Sequence, residues 1–360
     1  MPRRNREKPE YGTAVANGRP VSLKFLAEYL GLSRATISVV LNDAPVARGI
    51  SPKTRERVLR AAEKFNYHPN FFARVLNKKR SFLIGVISPD LAEGYDSALL
   101  AGIQSQLLAS GFLYFVASHQ WRHDLMDRLP DMLIERGAEG IIFINTRLSK
   151  RLAVPAVNIG GRKTLAGVTN IVVDNDFGVK LGLEHLVELG HRRIAFFKGH
   201  AGSIDTEERW QAIVNHAGRL GIRVEPSLTV QLERLSGTAV SAIEEGYRAA
   251  QKLLSTSKDF TALFAFNDMS ALGAVNAVRD AGLSMPQDIS LVGFDDVTAA
   301  STAYPPLTTI RQPLREMGEI ATTRLLARIK DENLPAEKVV VKPELVVRAS
   351  TGPARQAQRG

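Results

Sequence analysis

From residue 81 onward, short β-rich runs alternate with amphipathic segments, and that alternation restricts the fold more than any other feature of the chain. FLIGVISPD, FLYFVASHQ, GAEGIIFINT, VPAVNIGGR and TNIVVDN form a first series of β-branched and aromatic runs. Between them lie segments with apolar residues at helical spacing, such as SALLAGIQSQLLASG and DLMDRLPDMLIERG. A second series follows in RRIAFFKGH, SLTVQLERL, TALFAFND and DISLVGFDD. Its helical segments are GVKLGLEHLVELG, EERWQAIVNHAGRLG and MSALGAVNAVRDAG, several of them ended by Gly. Such alternation builds parallel sheets with helices on both faces, so the expected fold class is α/β. Two series of about five strands each predict two similar lobes. TTIRQPLREMGEIATTRLLARI and KVVVKPELVVRAS are expected to cross back between them. One lobe would then hold residues 81–173 with 312–341, and the other 174–311 with 342–350.

In sheets of this kind ligands bind beyond the carboxyl ends of the strands. Polar side chains gather there: Asp90 after IGVIS, His119 after YFVAS, Asn145 after IIFI and Arg162 after VNIGG. Asn267 and Asp268 follow LFAF, and Asp295 and Asp296 follow LVGF. The layout predicts a hydrogen-bonding cleft between the lobes for a small polar molecule. Asp268 and Asp296 read more simply as caps of the helices that follow, and Asn145 fits either role. His119 and His123, four apart in HQWRHD, have the spacing of a metal pair on a helix. That stretch straddles a strand end, so they read as two surface side chains, and no metal or cofactor is expected. The chain has no GxxxxGK(S/T) loop, no GxGxxG after a strand, no HExxH and no GxSxG, so an enzyme is not expected.

Charge divides the chain differently. Residues 1–80 hold 17 Lys and Arg against 6 Asp and Glu, a net of +11, which leaves the rest of the chain at −1. A basic module on a near-neutral body predicts a polyanionic partner for that module alone. The chain has no cysteine, which excludes a disulfide scaffold and thiolate zinc sites and fits a reducing compartment. MPRRNREKPEYG lacks the apolar core of a secretory signal, and no apolar run reaches membrane-spanning length. A soluble, cytoplasmic protein is the expectation.

Within the basic module, residues 1–20 lack periodicity and read as a disordered arm. VSLKFLAEYLGLSRATISVVLND is patterned. Leu23, Leu26, Ala27 and Leu30 form one helical face behind the cap Ser22. Gly31 supplies a left-handed turn, and Ser33 caps a second helix with Ile37, Val40 and Leu41 inward. Two short helices joined this way predict a helix-turn-helix. The outward face of the second carries Arg34, Ala35, Ser38 and Val39. Arg34 suits a guanine edge, Ala35 a thymine methyl and Ser38 a phosphate. SPKTRERVLRAAEKFNY predicts a third helix capped by Ser51, with Val58, Leu59, Ala62 and Phe65 inward. HPNFFARVLNKKRS supports two readings: a flexible linker, or a hinge helix that folds on binding and wedges Leu76 into a minor-groove step.

VSLKFLAEYLGLSRATISVVLN, SPKTRERVLRAAEKFNYHPN and ARVLNKKRS resemble the headpiece and hinge of the LacI/GalR family of transcription regulators. SPDLAEGYD, VELGHRRIAFF, EERWQA, FAFNDMSALGAVNAVRDAGLSMPQDISLVGFDDV and PPLTTIRQP resemble that family's effector core, which is similar to periplasmic sugar-binding proteins. The resemblance spans roughly residues 21–350. It implies a homodimer on a near-palindromic double-stranded operator. Arg34 and Ala35 would read bases. Ser33, Thr36, Ser38, Asn42, Tyr67 and Asn70 would meet phosphates, and Ala73 and Leu76 the minor groove. In the core it implies polar ligand contacts from Arg209, Asn267 and Asp295, and from Tyr95 and Asp96 on the first strand–helix loop. The chain departs from the family pattern in four places. Val39 stands where Arg is usual, the turn NDAPVARGISPKT is about three residues longer, Gly160-Gly161 replace a frequent Asp, and Asp96 replaces a frequent aromatic.

The expected organisation is thus a basic arm (1–20), a helix-turn-helix domain (21–67), a hinge (68–80), a two-lobed effector and dimerisation core (81–350) and a flexible tail (351–360). TGPARQAQRG lacks a leucine heptad, so a dimer and not a coiled-coil tetramer is expected. The expected function is a repressor whose DNA affinity is set by a small polar effector, a sugar or nucleoside. The rivals are a transporter's solute-binding protein, which has no use for residues 21–80, and an α/β sugar-processing enzyme, which needs an acid/base set or phosphate loop not found here.

Overall fold

The computed structural model describes residues 21–42, 45–67, 80–91, 94–161, 165–201, 203–234 and 241–355. The chain divides into two units, residues 1–81 and 82–360. In the first, helix α1 (Leu23–Leu30) starts at Ser22, whose Oγ accepts from Phe25 N, and stops at Gly31 with φ 65°. Helix α2 (Arg34–Leu41) starts at Ser33, whose Oγ accepts from Thr36 N. Helix α3 (Pro52–Lys64) starts at Ser51, whose Oγ accepts from Thr54 N, with Pro52 in its first turn. The long turn before it contains a 3-10 segment, Pro45–Gly49. Leu26, Ile37, Val40, Val58, Ala61 and Ala62 form the buried core. Leu59 does not point inward as expected: it is 53% exposed, and Ala61 takes the buried position, since the inner stripe of α3 runs through 58, 61 and 62.

The second unit holds two six-stranded sheets. The first contains β1 (Leu83–Ser88), β2 (Leu113–Ser118), β3 (Ala138–Ile144), β4 (Ala156–Ile159) and β5 (Thr169–Val173). A late strand, β11 (Lys338–Val341), pairs parallel with β5. The order is β11-β5-β4-β3-β1-β2, all parallel. The second contains β6 (Ile194–Lys198), β7 (Thr229–Gln231), β8 (Ala262–Phe264), β9 (Ser290–Asp295) and β10 (Thr308–Arg311), in the order β12-β10-β9-β8-β6-β7. Here β12 (Glu344–Val346) runs antiparallel to β10. Sequence alternation shows about five strands per lobe because each sixth strand comes from the C-terminal segment.

Helices cover the sheets. Helix α4 (Gly94–Ala109) packs on the late helix α11 (Leu314–Lys330), where Gly102 and Gly318 let the backbones meet. A Cβ on Gly102 would overlap the Arg315 carbonyl, and one on Gly318 the Leu99 carbonyl. The chain crosses between sheets three times, after β5, after β10 and between β11 and β12. The tail does not loosen at 351. Ala354 N donates to Leu189 O, His191 Nε2 lies 3.0 Å from Gly352 O, and Arg355 Nη2 donates to Lys258 O. Satisfied backbone groups hold 351–355 against the second lobe, so a flexible tail beginning at 351 is corrected; 356–360 lie outside the described residues. Among the described residues no helix is long and apolar enough to cross a membrane.

Candidate functional site

Strand carboxyl ends from both lobes border a cleft of about 870 Å³ that opens to solvent. At its floor lies Arg209, on α7 (Ile204–Arg219), 3% exposed. A guanidinium cannot shed its charge, so burying it demands partners on every side. Its Nε donates to Asn175 Oδ1 at 3.2 Å, and Nη1 donates to the Phe266 carbonyl. Its planar faces meet aromatic rings, with Cζ 3.6 Å from the Phe294 centroid and 4.6 Å from that of Phe266. Burial lowers its pKa, and Asp295 and Asp205 oppose that shift.

Asp295 ends β9 in the left-handed region, φ 121°, and accepts from Gln312 Nε2 at 2.7 Å. Burial raises its carboxyl well above the usual range, against the pull of Arg209. Tyr95 and Asp96 enter from the first turn of α4. Burial raises the Tyr95 phenol first, and Asp205, Asp295 and Asp96 add to that. Asp96 lines the cleft while Oδ1 accepts from Ser88 Oγ at 2.7 Å. Asn145 follows β3 at φ 43°, and its buried Oδ1 has no partner among the described residues. Gly160, at φ 100°, makes room for it: a Cβ there would overlap Asn145 Oδ1. Asn267 lines the cleft and also caps α9 (Asp268–Asp280), Oδ1 accepting from Ser270 N, which leaves Nδ2 for a ligand.

The structure therefore brings Tyr95, Asp96, Asn145, Arg209, Asn267 and Asp295 together. It does not bring His119. That ring is fully buried and spent on lobe structure: Nδ1 accepts from Trp121 N at 3.0 Å, and Nε2 lies 3.0 Å from Thr146 Oγ1. His119 is thus neither a cleft residue nor a surface one, and burial lowers its pKa to about 4. His123 opens the next helix, so the two imidazoles do not share one. Arg162 lies outside the described residues.

Asp268 and Asp296 are not helix caps. Asn267 caps α9, which frees Asp268 to accept from Val297 N at 2.9 Å and from Thr309 Oγ1. Burial raises the Asp268 carboxyl to about 7. Asp296 pairs with Arg311 and Arg348, each at 2.6 Å.

Some cleft residues escape sequence reasoning. Asp205 is four residues before Arg209 on the same helix face, a spacing that points to it. Its Oδ1 accepts from Gly161 N of the other lobe at 3.2 Å. Gln312 sits at a crossover, and nothing in its surroundings in the sequence marks it. Trp121, His200, Arg234 and Glu245 come from four separate loops and helices and meet at the mouth.

In the first unit, Ser33, Arg34 and Ala35 are exposed at the start of α2, where backbone N–H groups also face outward. Ser33 Oγ and Thr36 Oγ1 bond each other at 2.9 Å. Asn42 Nδ2 donates to Ser38 O at 2.8 Å, tying the end of α2. Tyr67 packs half-buried against the three-helix core, and burial raises its phenol. Asn70, Ala73 and Leu76 lie outside the described residues.

Residues 22–70 match the bacterial regulatory proteins of the lacI family, and residues 183–351 match the periplasmic binding protein-like domain. The HTH-type transcriptional regulator MalR of Streptomyces coelicolor is 33% identical over 91% of this chain and 96% of its own length. A Lac repressor dimer, solved bound to operator and an anti-inducer, matches with TM-score 0.80 and 30% identity, covering 93% of this chain and 100% of that one. A complex of the transcriptional regulator CelR with cellobiose matches with TM-score 0.68 and 27% identity, covering 92% and 100%.

Proposed function

The chain belongs to the lacI family of bacterial regulatory proteins, and we propose that it represses transcription by binding a near-palindromic operator as a homodimer, under control of a small polar effector in the cleft. It is a transcription regulator and not an enzyme. The observation that carries the repressor reading is the pairing of two separate features. One is an exposed, basic helix-turn-helix with Arg34 at the start of its second helix. The other is a two-lobed cleft whose floor holds a buried cation and an orphaned carboxamide oxygen.

Arg34 and Ala35 read bases in the major groove, and Ser33, Thr36, Ser38, Asn42, Tyr67 and Asn70 position the helix on phosphates. Residues 21–67 serve as the DNA-binding domain, 68–80 as a hinge that places Ala73 and Leu76 in the minor groove, and 81–350 as the effector and dimerisation core. A partner copy covers β2, an edge strand whose Leu113 and Phe115 are 61% and 48% exposed beside Leu108. Operator binding locates the protein in the cytoplasm.

The effector is a neutral polyhydroxylated molecule, a sugar before a nucleoside. Asn145, Asn267, Asp205, Arg209, Arg162 and Asp295 offer it acceptors and donors, and the sugar class is supported by the similar regulator CelR, which is solved with cellobiose. Effector and operator then act on each other reciprocally, typically by about 1–3 kcal/mol. The test is selection of operator sequences from a random duplex pool by the full-length protein. A consensus with two-fold symmetry, weakened for Arg34→Ala at one position in each half-site, is expected. Retention of DNA without any consensus would sink the reading.

A further inference from the structure

The end of β9 takes a backbone course that side chains resist. Asp295 stands at φ 121° and Asp296 at φ 58°, two consecutive positive values, and neither residue is glycine. A Cβ crowds the neighbouring carbonyl in that region, so such residues persist only where their surroundings hold them. The main chain is pinned on both sides. Gln312 N donates to the Asp295 carbonyl at 3.3 Å, and Val297 N donates to Asp268 Oδ2 at 2.9 Å. The side chain of Asp296 supplies a third hold between them.

That side chain is 8% exposed, and two arginines grip it. Arg311 Nε donates to Oδ2 at 2.6 Å, and Arg348 Nη2 donates to Oδ1 at 2.6 Å. Bonds between charged partners are stronger than the neutral bonds of a main chain. Each arginine is anchored in turn. Arg348 Nη1 donates to the Leu307 carbonyl at 2.7 Å, and Arg311 Nη1 donates to Glu344 Oε1 at 2.6 Å. Arg311 lies opposite Asp295 in the pairing of β10 with β9, and the next residue, Gln312, donates to Asp295 Oδ1 at 2.7 Å. Asp295 lines the cleft. Asp296 is bound instead to β10 and to the segment after β12. Glycine would take φ 58° without a clamp. The aspartate present there is clamped by two groups that stand outside the cleft lining.

We propose that Asp296 is a positioning residue for the effector: its clamp by Arg311 and Arg348 keeps the end of β9 left-handed and so holds the Asp295 carboxylate in the cleft. The proposal rests on the cleft as the effector site, but the clamp is tested with neither effector nor DNA.

The Gln312 amide reports the end of β9, because it is bonded to the Asp295 carbonyl. Deuterium uptake there, resolved by mass spectrometry, is compared with that of Ala265 N, which is bonded to Val292 O in the same sheet. Asp296→Ala removes the clamp and keeps the Cβ, so exchange at Gln312 should quicken by roughly tenfold, the measure of one strained backbone position. Asp296→Gly removes clamp and crowding together and should exchange like the wild type. Ion pairs that served stability alone would give the reverse order, since glycine adds freedom to the unfolded chain. Equal exchange in the two variants, or faster exchange in Asp296→Gly, overturns the proposal. If Asp296→Ala does not fold, Arg311→Gln, at a half-exposed side chain, stands in for it. It should quicken Gln312 exchange in the wild type and not in Asp296→Gly, and equal effects in both overturn the proposal. Thermal shifts against a panel of sugars then join clamp to effector. A sugar that stabilises the wild type and Asp296→Gly should not stabilise Asp296→Ala, and equal shifts in all three overturn the positioning role. No shift of the wild type with any sugar sinks the sugar reading of the cleft and leaves the exchange order to decide the clamp.

Discussion

Gly161 N–H donates to Asp205 Oδ1 at 3.2 Å, and the two residues belong to opposite lobes. A frequent family carboxylate is missing at Gly160-Gly161, and a carboxylate arrives from the facing lobe instead. The buried backbone at Gly160-Gly161 can accept this because neither glycine carries a side chain to fend it off.

Asp205→Ala should therefore loosen closure. A hydrogen bond to a charged group is worth about 1.5–3 kcal/mol, so effector affinity should fall by roughly ten- to a hundredfold. Asp205→Asn, which keeps an acceptor, should lose less. Calorimetric titration with whichever sugar first raises the melting temperature would decide it, and equal affinities in all three proteins would remove Asp205 from the closing mechanism.

Gly160→Ala places a Cβ where Asn145 Oδ1 now sits, at a φ of 100° that L-residues rarely adopt. A cost of about 1–3 kcal/mol in stability is expected from the backbone alone. Effector affinity should drop with it, because the orphaned oxygen of Asn145 must move. Chemical unfolding and ligand titration of the same variant separate the two effects.

His119 gives a pH dependence with a defined sign. Its folded pKa, about 4, is below the ordinary imidazole value of 6.5. The unfolded chain therefore takes up a proton first, and stability is lost as pH falls from 6.5 towards 4, by about 3 kcal/mol for this group. Asp268 works the other way: raised to about 7, its contribution is fully present below the ordinary carboxylate value of 3.8 and is lost as pH rises through 7. His119→Gln should flatten the first slope and Asp268→Asn the second. Urea midpoints at pH 5 and 8 for each variant measure both, and wild-type slopes in both variants would refute the assignment.

On the DNA side, Ser33→Ala removes the cap of α2 and should cost about 1 kcal/mol of stability. Arg34→Ala should instead leave stability unchanged and cost about 1–3 kcal/mol of discrimination at one base pair. Anisotropy with the selected operator and a scrambled duplex distinguishes the two variants. Equal loss on both duplexes for Arg34→Ala would make it a phosphate contact.

Much of this was legible in the chain. The caps Ser22, Ser33 and Ser51, the left-handed Gly31 and the alternation of strands and helices act locally, over a turn or a strand, and local pattern records them. Arg209 and Asp295 were legible through resemblance and strand-end position. What pattern could not record is which polar side chain turns inward. His119 and Asn145 both follow strands, yet one is saturated inside its lobe and the other keeps an orphaned oxygen. Asp268 lost the capping role to its neighbour Asn267 because a buried Thr309 and the Val297 amide claimed its carboxylate. Leu59 misled because an amphipathic helix with a narrow inner stripe leaves room for one apolar residue too many.

Lys338–Val341 and Glu344–Val346 are edge strands of different sheets, divided by two residues. During synthesis the three-helix unit emerges first, and its core draws on helices alone. Neither lobe can finish its sheet until the ribosome has passed that lobe's own late strand. A nascent chain thus has a complete DNA-binding head for the whole time its sensor remains unfinished. Messenger truncated before Lys338 would leave one open edge on each sheet and a DNA-binding head whose sensor cannot be completed.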